Sequence, residues 1–197
     1  MKLLVFICSL LSLEAIAQQH FLVEFEAFSP GEQEVIQTLK GRKAEHFLAK
    51  DLSGQETSFY STEGKIKLLW FWSPEDTAAI SLVPHINLLQ LDELDDMWIY
   101  SFVEGDKASA QRISQEQGPL FTIIPEAKAI GQLAYGGDLG SNRIFVIDKD
   151  LSIQEVLPPS FFASRQPAAA VSILRDMITR MKLDWSLGDR LPLAPLR

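Results

Sequence analysis

The stretch IKLLWFWSPEDTAAISLVP, residues 66–84, decides how this chain folds. Its first seven residues, Ile66 to Trp72, are apolar apart from Lys67. An unbroken apolar run of that length reads as a strand buried on both faces, as in the centre of a parallel sheet. Helix-start signals follow at once: Ser73 as N-cap, Pro74 at the first helical position, and Glu75 and Asp76 in the first turn. Ser73 and Asp76 have capping-box spacing. The helix then runs on through Ile80, Val83, Ile86, Leu88 and Leu89, with Pro84 removing one backbone donor inside it.

Working outward, a second buried strand is expected over 97–103, a helix over 107–117, an extended piece over 120–124 and a helix over 127–135. Residues 144–147 and 153–157 flank Asp148-Lys149-Asp150 as an antiparallel hairpin. Val171, Leu174, Met177, Ile178 and Met181 mark one face of an amphipathic helix over 167–182. On the other side of the central unit, FLVEFEAF (21–28) reads as a strand closed by Ser29-Pro30-Gly31, residues 32–40 as a short helix, and residues 56–60 as extended. The order is β-α-β-α-β-α-β-β-α after an N-terminal extension. Helices alternating with the early strands imply parallel pairing, and the terminal hairpin makes the sheet mixed.

The chain has 197 residues, enough for one domain with a substantial core. Its net charge of -8 argues against a nucleic-acid or anionic-membrane partner, both of which need basic surface. Residues 1–17 read as a signal peptide: Lys2, an apolar run from Leu3 to Leu13, then Ala15-Ile16-Ala17 as a cleavage site. That run is too short for a permanent membrane anchor, so no integral membrane segment is expected after cleavage. The one cysteine, Cys8, lies in this segment. A mature chain from Gln18 would then hold no thiol, which excludes thiol redox chemistry.

GRKAEHFLAKDLSGQETSF (41–59), GKIKLLWFWS (64–73), the proline eleven residues after Ser73, and RIFVIDKD (143–150) together resemble the thioredoxin-like superfamily, in particular the periplasmic redoxins of the TlpA and ResA type. The resemblance covers roughly Gly41 to Lys182. It implies a three-layer α/β/α sandwich with a central mixed sheet and an N-terminal β extension. The organisation expected is a signal peptide over 1–17, an extension over 18–40, the thioredoxin-like domain over 41–183 and an irregular tail over 184–197. The likeness also marks what is missing. The family's Cys-x-x-Cys falls on Asp76, Thr77, Ala78 and Ala79, and its cis-proline on Asn142. A cis bond at a non-proline residue costs about 2.5–4 kcal/mol, so a trans, reshaped loop is expected there.

Other chemistry finds little support in the residue pattern. A helix N-terminus favours ionised Asp76 and weakens it as a base, which leaves capping as its role. His20, His46 and His85 have no metal-ligand spacing, and Asp92-Glu93-Leu94-Asp95-Asp96 lacks the glycine of a calcium loop. Gly136 to Gly140 lacks the ending of a phosphate loop. No cofactor and no metal is implied. The reading is an exported, cysteine-less binding or assembly module of the bacterial periplasm or extracellular space. Its partner would be an envelope protein or peptide, held in a groove between Asp76–Ala79 and Asn142–Arg143. The alternatives are an enzyme of another class built on Asp76, and a redoxin relative acting through a partner's cysteines.

Overall fold

The computed structural model describes residue 25 and residues 27–188; the expected signal peptide lies outside them. The first helix, α1 (Pro30–Leu39), starts where local chemistry tells it to. Ser29 accepts from the Glu32 amide, the Glu32 carboxylate reaches back to the Ser29 amide, and Pro30 occupies the first turn. A small antiparallel pair follows, β1 (Leu48–Lys50) with β2 (Glu56–Ser58), closed by a 3-10 turn over Phe59–Thr62.

Strand β3 (Ile66–Trp72) is buried at every position and sits in the middle of a five-stranded sheet. Helix α2 (Thr77–Asp92) carries the chain to β4 (Met97–Val103), parallel to β3. Helix α3 (Lys107–Gln117) leads on to β5 (Thr122–Ile124), parallel to β4. After α4 (Lys128–Ala134), the hairpin β6 (Arg143–Ile147) and β7 (Ile153–Leu157) adds antiparallel strands on the other side of β3. The spatial order is β5-β4-β3-β6-β7. The short α5 (Pro159–Ala163) and the long α6 (Pro167–Gly188) complete the described chain.

Alternation along β3 divides the core into two layers. Ile66, Leu68, Trp70 and Trp72 join residues of α2 and α6 on one face. Leu69 and Phe71 join Phe47, Phe59, Phe102 and Tyr135 on the other, under α1 and the β1–β2 region. Burial of these large side chains, at about 1.5–3 kcal/mol each, is the main force holding the layers together.

Four expectations are corrected. The N-cap of α2 is Asp76, not Ser73: Asp76 donates its amide to Ser73 O at 3.0 Å, so the chain makes one turn before the helix begins. Phe25, Ala27 and Phe28 are not in a strand; the Gln33 side chain holds the Phe25 and Phe28 carbonyls at 3.1 and 2.9 Å and folds the segment back onto α1. Residues 184–188, expected to be irregular, continue α6, because Trp185 packs against the core and Lys182 reaches Glu93 and Asp96. Helix α5 was not expected; it buries Phe161 and Phe162.

Candidate functional site

The end of the sheet where β3 gives way to α2 brings the turn at Ser73 against the loop at Ser141. Pro74 is buried in the connecting turn. Asp76 has extended backbone angles, and its Oδ1 accepts from the amides of Ala78 at 2.9 Å and Ala79 at 3.2 Å. Two of the orphan donors of the helix start are therefore satisfied by a carboxylate placed in the favourable field of the helix dipole. Ser73 Oγ, by contrast, stays within the turn: it accepts from the Glu75 amide at 3.3 Å and donates to the Glu75 carboxylate. Thr77 and Ala78 are exposed, whereas Ala79 is buried.

The loop entering β6 lies across from this turn. All peptide bonds among the described residues are trans, and Asn142 adopts a left-handed conformation at φ 64°. Asparagine tolerates that region because its short side chain hydrogen-bonds locally or inward. Here Asn142 Oδ1 accepts the Trp70 indole N–H at 3.0 Å and the residue is buried. The Ser73 amide donates to Ser141 Oγ at 2.6 Å, tying the two loops together. Trp70 stacks on Trp72 with centroids 4.9 Å apart, and the Trp72 indole donates to Ser101 Oγ at 2.7 Å. Both indoles are thus internal and paired.

Arg143 points the other way, as its strand position requires. It is 1% exposed. Its Nε donates to Tyr135 O at 2.9 Å, Nη1 donates to Gly140 O, and the guanidinium plane lies over Phe71 at 4.8 Å. Nη2 stands 3.0 Å from Glu104 Oε1 as an ion pair without hydrogen-bond alignment. Burial lowers the Arg143 pKa, against the pull of Glu104; a guanidinium nonetheless stays charged. Its donors serve the Tyr135–Gly140 segment, so it is not placed to meet a ligand beside Asp76. The strand register agrees: Arg143 pairs with Phe71 and so belongs to the Phe71 layer.

His46 and His85 do not join this end, and His20 lies outside the described residues. His46 is exposed and stacks on Tyr60 at 5.0 Å, while His85 is half-buried on α2. Among the described residues no cluster of three metal-ligating side chains forms, and no helix is long and apolar enough to cross a membrane.

No family model matches the sequence, and no curated protein is similar to it at a significant level. Solved structures are similar in fold. A thiol:disulfide interchange protein from a Bacteroides species superposes with a TM-score of 0.58 at 15% identity, over 71% of this chain and 90% of that one. The thioredoxin domain of a thiol-disulfide oxidoreductase from Bacteroides vulgatus gives 0.57 at 16% identity, over 71% and 97%. A secreted disulfide oxidoreductase from Mycobacterium tuberculosis, described as homologous to DsbE of Escherichia coli, gives 0.54 at 19% identity, over 64% and 95%. The fold is thioredoxin-like, shared with thiol–disulfide oxidoreductases, on a sequence holding a single cysteine.

Proposed function

We propose that this chain is an exported, non-catalytic binding or assembly module, a thioredoxin-like domain whose redox position has been turned into a helix cap. The observation that carries the reading is the Asp76 carboxylate accepting from the Ala78 and Ala79 amides. A helix N-terminus lowers a cysteine's pKa by offering unsatisfied donors and positive potential to a thiolate. Here the Asp76 side chain takes up two of those donors, and Cys8, the single cysteine, supplies no second sulfur for exchange. A polypeptide partner would lie along the exposed Thr77 and Ala78 beside Asp76, while the buried Asn142 stiffens the neighbouring loop from within through the Trp70 indole. Arg143 supports that surface from the opposite layer by holding Gly140 and Tyr135. One of the similar structures is a secreted protein, which supports an exported reading together with the apolar leader of this sequence.

Two measurements test this. The chain should show no insulin reduction above background. Envelope proteins captured by the intact chain should be lost by a Thr77→Arg/Ala78→Arg variant, which changes only exposed positions. Insulin turnover, or an unchanged set of captured proteins in the variant, would overturn the proposal.

A further inference from the structure

The far end of α2, about 20 Å along the helix from Thr77 and Ala78, carries an apolar surface that the helix-start reading leaves unused. Leu88 and Leu91 stand one turn apart on the outer face of α2, 57% and 55% exposed, and Leu94 follows just beyond the helix at 49%. Pro84, one turn earlier, is exposed as well. A single exposed leucine needs no explanation, but a ridge of them does. A fourth leucine is held beside this ridge. The Leu120 amide donates to Asn87 Oδ1 at 2.8 Å, Asn87 Nδ2 donates to Gly118 O at 3.1 Å, and Leu120 is 53% exposed.

Leu120 also forms one wall of a 310 Å³ hollow at the β5 edge, with Leu52, Trp98, Pro119 and Phe121. Leu94 borders the same hollow, because its carbonyl accepts from Lys65 Nζ at 2.8 Å and that ammonium lies 5.6 Å from the Trp98 ring. A convex apolar ridge and a concave apolar hollow thus adjoin on one chain. Two-fold association needs a surface complementary to itself, residue i meeting j while j meets i. A ridge beside a hollow meets that condition. The charges agree with it. Asp92 pairs with Arg175 at 2.6 Å, and Lys182 pairs with Glu93 at 2.9 Å and with Asp96 at 2.5 Å. A rim of one sign would repel a copy of a chain whose net charge is -8. This rim shows both signs and can exchange its ion pairs across a two-fold axis.

We propose that this surface pairs two copies of the chain about a two-fold axis, the Leu88–Leu91 ridge of each entering the Leu52–Trp98–Leu120 hollow of the other. Removal of apolar surface from water drives the pairing. A contact built on four half-exposed leucines and one hollow is small beside the ~800 Å² per partner of a standard interface, so the dimer is reversible and concentration-dependent. The Thr77–Ala78 surface lies outside it, and either surface can fail without the other.

Sedimentation equilibrium of the full chain from about 1 to 500 μM tests this. It should show a monomer–dimer equilibrium that closes at two. Leu88→Asp/Leu91→Asp, confined to exposed ridge positions, should weaken the dimer about tenfold or more, and so should Leu120→Asp in the hollow. Each variant should keep the circular dichroism of the parent. Leu133→Asp, at a leucine 89% exposed on α4, should leave the dimer unchanged. Mixing the ridge and hollow variants is the decisive arm. Each variant alone damages both contacts, whereas the mixed pair keeps one intact, so the mixture should associate more tightly than either variant by itself. A monomer throughout the range, association that does not close at two, or a mixture no tighter than its components would overturn the proposal. So would a dimer indifferent to the ridge and hollow substitutions.

Discussion

Gly131 of α4 faces the Arg143 guanidinium of β6 so closely that a side chain there would fall well inside contact distance of Nη2, with Glu104 and Phe71 closing the remaining space. The absent Cβ is what lets a buried cation reach its carboxylate and the Tyr135 and Gly140 carbonyls. Gly131→Ala should therefore destabilise the fold by about 1–3 kcal/mol, the cost of overpacking, even though alanine favours helices. Denaturant titration with an unchanged m-value would check this; a neutral or stabilising result would show that Arg143 has room to move.

Removing the cation itself should cost more. Arg143→Met leaves Glu104 without its partner and the Tyr135 and Gly140 carbonyls without donors. The expected loss is about 3–5 kcal/mol, typical of breaking one side of a buried pair. Combining it with Glu104→Gln should recover part of that loss, because the stranded charge is removed as well. Additive effects in the double-mutant cycle would contradict the coupling.

Asp76→Ala should lower stability by about 0.5–2 kcal/mol through loss of the cap on Ala78 and Ala79. Asp76→Asn should recover most of this, since an amide oxygen can still accept. If alanine and aspartate prove equivalent in thermal melts, the carboxylate is not the cap and a catalytic role for it regains weight.

Lys67 gives a prediction in pH. Burial, its largest influence, lowers its pKa below the ordinary 10.5, outweighing the pull of Asp148 and Glu63. In the window between the folded value and 10.5 the unfolded chain binds more protons, so this group's contribution rises with pH and its cost is greatest below that window. Lys67→Met should therefore be more stable than the parent at neutral pH, with the advantage shrinking as pH approaches the ordinary lysine range. A gap in melting temperature that stays constant, or grows, with rising pH would contradict the assignment.

Glu32 works in the reverse sense. Burial raises its pKa, but hydrogen bonds from Ser29 and Ser160 outweigh it and hold the carboxyl below its ordinary 4.5. Its contribution is present above that value and is lost as pH falls through the folded one. Glu32→Gln should melt earlier than the parent at pH 6 and converge with it in acid; parallel melting curves would refute the link between α1 and α5.

The central unit was open to reading because its signals are local. An apolar run can only be a buried strand, Pro74 and Asp76 can only lie at a helix start, and no residue near the turn carries sulfur. The placement of the cap was misjudged by three residues, since Ser73 and Asp76 are both good caps and only the turn between them decides which reaches the amides. Residues 184–188 are helical for a different reason. Nothing in that segment has a helical pattern of its own, and its helix depends on Trp185 meeting a surface assembled from distant residues.

The sequence by itself determined the order of elements from β3 to β7 and the position of β3, because periodicity and capping act between residues a few positions apart, and it holds a single cysteine. Tertiary structure alone decided that Arg143 is spent on Glu104 and the Gly140 carbonyl, and that Lys67 shares a pocket with His46, Tyr60 and Lys149. Arg143 and Glu104, like Lys67 and Lys149, lie tens of residues apart in the chain. Only closure of the intervening loops and packing of the two layers against one sheet brings them together.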